Sequence, residues 1–215
     1  LTIIMQGQII PQPKLGVAPK VQIGKPLTFE LKNGLKVMVV ENHKLPRVSF
    51  SLTLDNDPYI QGDKKGVAEM TSTLLGSGTS KISKTAFNEE VDFLGANIKF
   101  GSNGASASTL SKYSGRVLEL MADGALNPNF TQAEFDKEKE KLIEGLKANE
   151  KSVSAVARRV VDVLTYGKNH PSGEYLSEAT LKNVTLEDVK SNYSTYFVPN
   201  NAYLIIVGDV KFKET

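Results

Sequence analysis

The chain has 215 residues, with 26 Lys and Arg against 24 Asp and Glu, a net charge of +2. This near balance, with the basic residues scattered, argues against nucleic acid as a partner, while 40% hydrophobic residues can build a substantial core. Cysteine is absent, which excludes disulfides, thiolate metal sites and cysteine nucleophiles, and no apolar run of about 18 residues offers a transmembrane segment.

Residues 1–26 are interrupted by Pro and Gly and lack a basic-then-apolar signal pattern. They read as an extended lead-in or linker, and the Pro-rich composition fits an exported, periplasmic bacterial protein. Leu27–Leu31 alternates as a strand. Asn33-Gly34 is a hairpin turn signal, and a return strand starts at Leu35. From Arg47 the chain alternates again, with Val48, Phe50, Leu52 and Leu54 on one face. An antiparallel β unit is expected to open the fold.

The period then changes. Gly66–Leu75 reads as a short helix. Lys84–Leu94 is amphipathic, with Phe87, Val91 and Leu94 at helical spacing. Ala96–Leu110 is strand-like, and its "GSNGASAS" reads as a flexible or bulged strand connection. It lacks the Lys-Ser/Thr of a phosphate-binding loop. Ser114–Leu126 is a helix with Val117, Leu120, Met121 and Ala125 on one face. Thr131 can cap a long helix, with Glu134 completing a capping box. Ser152–Leu164 repeats Val153, Val156, Val160, Val163 and Leu164, and Thr185 starts another helix. "NAYLIIVGDV" closes the chain as a buried strand.

The order is three strands, two helices, two strands, four helices and a last strand. That argues α+β: a mostly antiparallel sheet with helices packed on one face. Residues 27–215 read as a single domain. Its expected core includes Val37, Val39, Phe50, Leu52, Leu74, Phe87, Val91, Leu118 or Leu120, Leu142, Leu204 and Ile206.

Six segments, in order, carry a resemblance: "LKNGLKVMVVEN", "GVAEMTSTLLGSGT", "LGANIKF", "LELMADGALNPNFTQAEFDKEKEKL", "YGKNHPSGEY" and "YFVPNNAYLIIVGDV". Together, over about residues 27 to 210, they resemble the insulinase/pitrilysin-type metallopeptidases, which include mitochondrial processing peptidase. The family's motif resembles Gly-Leu-Ala-His-x-x-Glu-His on a helix. The two His bind Zn²⁺ and the Glu activates the metal-bound water, because zinc takes neutral imidazoles and the water needs a nearby carboxylate. In this chain the His positions fall on Glu69 and Thr73, and the base position on Ser72. A third ligand, a Glu on a later helix, falls on Gly145. Glu138 matches an acidic position upstream of it, and Glu144 reaches the ligand position only after a one-residue slip. The strand that borders the scissile bond usually carries Asn-Ala; here it reads Lys99-Phe100.

The resemblance implies a metallopeptidase-like half-clamshell domain, one of two or four in a full protein, in which one half is often degenerate. It implies a catalytically inactive domain with no zinc of its own. Its partners would be a zinc-bearing catalytic half and an unfolded peptide. Lys99, Phe100, Gly101 and Ser102 are the peptide-binding candidates. Two alternatives stay open: a scaffold that binds partners but no peptide, and an active zinc peptidase whose ligands come from outside the motif. The two histidines, His43 and His170, lie in turn-like segments off the motif helix. Glu69 also reads plainly as a first-turn carboxylate that suits a helix dipole. Arg158 and Arg159 read as a solvated helix face, and Tyr193 and Tyr196 as core packing.

Overall fold

The computed structural model describes residue 16 and residues 25–214, so the lead-in reading of residues 1–26 lies almost wholly outside the described residues. Strands β1 (Leu27–Glu30) and β2 (Lys36–Glu41) form the expected hairpin, with Leu27 opposite Val39. The Gly34 N–H donates to the Leu31 carbonyl at 2.9 Å, and Gly34 takes φ +87°, a left-handed conformation that glycine adopts freely.

Strand β3 (Arg47–Leu54) does not continue this hairpin. The last strand, β6 (Ala202–Gly208), inserts between β2 and β3. It runs parallel to β2, with Val37 opposite Leu204, and antiparallel to β3, with Phe50 opposite Ile206. The expected opening antiparallel unit is therefore split by a strand from the far end of the chain. The run Tyr203–Val207 is apolar on both faces, which suits a strand inside a sheet rather than at its edge.

Strands β4 (Asn97–Gly101) and β5 (Gly104–Leu110) complete the order β1-β2-β6-β3-β5-β4. The "GSNGASAS" segment is a tight hairpin rather than a flexible connection. Gly101 stands opposite Gly104, and Ala105–Ser108 pair in register with β3. All neighbours are antiparallel except β2 and β6.

The helices are α1 (Val67–Leu75), α2 (Lys84–Phe93), α3 (Ser114–Leu126), α4 (Gln132–Asn149), α5 (Val153–Tyr166), α6 (Glu178–Asn183) and α7 (Leu186–Tyr196). Two clusters hold them. In the first, Val37, Val39, Phe50 and Ile206 of the sheet pack against Phe87 and Val91 of α2 and Val117, Leu120 and Met121 of α3. In the second, Val67, Met70 and Leu74 of α1 pack against Phe135 of α4, Leu181 of α6 and Val189 of α7. Among the expected core residues, Leu52, Leu118, Leu142 and Leu204 are half-buried and line the cluster edges.

Local chemistry explains most helix starts. Ser83, Thr131, Ser152, Ser177 and Thr185 each accept an N–H from the third residue on. The predicted capping box at Thr131 is one-sided: Glu134 turns its carboxylate to Lys84 at 3.1 Å instead of back to the cap. Helix α6 was not expected from the sequence. Its signal is Ser177 and Thr180, which form a reciprocal box without the usual Glu or Gln. Tyr193 and Tyr196 do pack: the Tyr193 hydroxyl donates to the Ala125 carbonyl at 2.7 Å, and Tyr196 stacks on Tyr59 at 4.1 Å.

Candidate functional site: the motif helix and the edge strand

Helix α1 is preceded by Gly66, which takes φ +123°, a backbone conformation that side-chain-bearing residues rarely adopt. A Cβ there would stand 2.7 Å from the Leu176 Cδ1. No cap residue serves the helix start directly. Instead Gln61 Oε1 accepts the N–H of Gly66 at 3.1 Å and of Ala68 at 3.4 Å, satisfying donors that a helix start leaves open. The Gln61 and Gly62 N–H groups donate in turn to the Glu174 carboxylate at 2.9 and 2.6 Å. Gln61 and Glu174 were missed in the sequence. Glu174 lies in one of the six resembling segments, but nothing local says that it reaches 112 residues back along the chain.

The inner side of α1 is closed by Val67, Met70, Thr71 and Leu74, all buried. The motif positions occupy the other side. Glu69 Oε1 lies 3.6 Å from Lys65 Nζ, and its second oxygen is enclosed without a hydrogen-bond partner. Thr73 is exposed, and its hydroxyl donates to the Glu69 carbonyl at 3.0 Å. Ser72 is half-buried, its Oγ 4.0 Å from where a Cβ on Gly101 would stand. Across from α1, α4 offers nothing at Gly145, which is exposed and faces open space. Glu138, two turns upstream, is held by Lys141 at 2.9 Å and Lys84 at 3.4 Å. Burial pushes its carboxyl up, but Lys141 and Lys84 outweigh that and hold it below the ordinary value of 4.5.

These residues do not fit a zinc ion. Catalytic zinc takes about three His, Cys, Asp or Glu ligands plus a water. The positions that should supply them hold one ion-paired carboxylate, two hydroxyls and a glycine. Both histidines are engaged elsewhere. His43 Nδ1 lies 2.7 Å from Asp209 Oδ1, and His170 accepts the Ser172 N–H at 3.1 Å while stacking on Tyr166.

Strand β4 is an edge strand whose outer side pairs with no other strand among the described residues. It passes the motif helix at Gly101, beside Ser72. The four candidate residues divide. Lys99 is exposed, while Gly101 and Ser102 are half-buried. Phe100 turns inward, its ring 6.2 Å from that of Phe87 and against Gly124, so it presents only main chain to the edge. An unpaired edge beside a helix can take an extended peptide through main-chain hydrogen bonds.

Residues 58–177 match the family model described as Insulinase (Peptidase family M16). The chain belongs to peptidase family M16. Its similarity runs well past that match. It is 22% identical over 197 residues to the Helicobacter pylori protein named non-peptidase homolog YmxG, covering 88% of this chain and 46% of that protein. It is 21% identical over 189 residues to the Bacillus subtilis protein named uncharacterized zinc protease YmxG, covering 85% and 46%. The crystal structure of a peptidase M16 inactive domain from Pseudomonas fluorescens shares its fold with a TM-score of 0.79 at 23% identity, covering 88% of this chain and 48% of that one. The M16 chain thus spans about half the length of the curated relatives it matches. No helix among its described residues is long and apolar enough to cross a membrane.

Proposed function

We propose that this chain is a non-catalytic M16 domain, part of a half that pairs with a zinc-bearing M16 half and helps enclose an unfolded peptide. One observation carries the reading. Helix α1 packs beside an edge strand that has no second strand partner among the described residues, while its ligand positions hold Glu69, Ser72, Thr73 and Gly145. Zinc belongs to the partner, and this chain holds none. The name of the Helicobacter pylori relative supports the same reading. The word protease in the Bacillus subtilis relative's name does not carry over to this donor set. Peptide adds to the main chain of β4, flanked by the Lys99 and Ser102 side chains, in an exported, periplasmic setting.

Elemental analysis and peptide turnover test this on the purified chain. The expected result is no stoichiometric zinc and no cleavage alone, with cleavage on mixing with a catalytic M16 half. One zinc per chain, lost in Glu69→Ala, would overturn it. Assembly with the catalytic half but no peptide binding in a titration would make the chain a scaffold instead.

A further inference from the structure

The strand register assigns a face to each side chain of the sheet beside the motif helix. Lys99 stands opposite Ser106 and Ser106 opposite Ser51, while Asn97 stands opposite Ser108 and Ser108 opposite Ser49. These side chains share the face turned away from α2 and α3, and Phe100, Ala105 and Leu52 share the inner one. Along β3, β4 and β5 the outward face carries two charged residues, Lys99 and Arg47, and both are cations. Helix α1 abuts the end of this face, since a Cβ on Gly101 would stand 4.0 Å from Ser72 Oγ. The single acid of α1, Glu69, lies 3.6 Å from Lys65 Nζ. No carboxylate of these strands or of α1 is therefore left to neutralise Lys99.

Lys99 is exposed, and its ammonium makes no hydrogen bond or ion pair among the described residues. A solvated lysine is ordinary on a surface. This one stands at the middle of β4, whose outer main chain pairs with no strand among the described residues. A peptide that adds there turns alternate side chains onto the outward face. The one directly across from Lys99 has its Cβ about 4.5–5.5 Å away. An acidic side chain at that position meets an opposite charge. A basic one meets a like charge, with no carboxylate of the strands to relieve it. Main-chain hydrogen bonds along an edge accept almost any sequence, so the side chains beside them set the preference. On this edge the one charged side chain is Lys99.

We infer that Lys99 is a specificity-determining residue, which selects extended peptides carrying Asp or Glu across from it. This rests on the peptide reading above and gives it a substrate class. The test titrates the full chain with labelled host peptides, blocked at both ends and identical except for a central Glu, Gln or Lys. Binding is read by fluorescence anisotropy at low salt, where a surface charge pair is least screened. The Glu peptide should bind about fivefold tighter than the Lys peptide, with Gln between them. Lys99→Glu should invert that order, and Lys99→Gln should flatten it. The control is Lys32→Glu, in the turn between β1 and β2 at the other end of the strand order. It changes the net charge equally and should keep the wild-type order. Far-UV circular dichroism checks folding, which these exposed positions should tolerate. Equal binding of the three peptides to the wild type would overturn the charge selection and leave β4 standing as a peptide edge. So would an order that Lys99→Glu leaves unchanged, or one that Lys32→Glu inverts. Peptides that do not bind at all would overturn both readings.

Discussion

Helices α1 and α5 carry similar apolar spacing and meet opposite fates. In α1, Met70 and Leu74 lie at the centre of a cluster and are fully buried. In α5, residues at equivalent spacing face solvent, while an arginine and an aspartate turn inward. The difference teaches that a 3.6-residue pattern says a face will be covered, without saying by what. It also separates two kinds of retention. Helix α1 carries no set of metal ligands on its outer side and is packed through its inner side, so its place in the fold is held by the core.

The largest test of that comparison rebuilds the outer side of α1. Combining Glu69→His, Ser72→Glu, Thr73→His and Gly145→Glu should restore stoichiometric zinc binding, read by metal titration, with turnover still negligible. Donors on two packed helices suffice for ligation. Rate also needs partners that orient each imidazole, and a peptide in register beside Lys99 and Phe100. A variant with no zinc affinity would show that α4 does not present residue 145 to α1.

Next in size is the packing itself. Leu74→Ala should cost about 2–5 kcal/mol in urea denaturation. Leu164→Ala in the same isolated chain should change stability by no more than about 0.5 kcal/mol. Equal losses at the two sites would erase the contrast between the helices.

A smaller effect of opposite sign is expected at Gly145. It lies inside an 18-residue helix, with open space where a Cβ would stand. Gly145→Ala should therefore stabilise the chain by about 0.5–1 kcal/mol. A loss instead would mean that the glycine serves an approach by something outside this chain.

The smallest effect concerns the ion pairs that tie α4 to α2 beside the motif helix. Glu138→Gln should cost about 1 kcal/mol at neutral pH. Because Lys141 and Lys84 hold the folded-state carboxyl below 4.5, the contribution is present above that value. It fades as pH falls through the lower folded value. Thermal melts of wild type and Glu138→Gln should converge toward pH 3; a gap that persists there would point to packing rather than charge.

Much of this protein was legible without its tertiary structure, because the signals are local. The Asn33-Gly34 turn, the caps at Thr131 and Thr185 and the alternation along β3 are decided within a few residues, where backbone sterics and short hydrogen bonds dominate. That the motif positions hold one carboxylate, two hydroxyls and a glycine, at Glu69, Ser72, Thr73 and Gly145, is likewise a matter of side-chain type. Long-range pairing decided the rest. The insertion of β6 between β2 and β3 joins residues that no window contains. The Gln61 and Glu174 support of α1 joins residues 113 apart in the chain. Phe100 turns inward because β4 pairs with β5 in a register that places its ring over Gly124. The outward face of α5 has the same cause from the other side: its periodicity is a local property, but burial belongs to whatever packs against it.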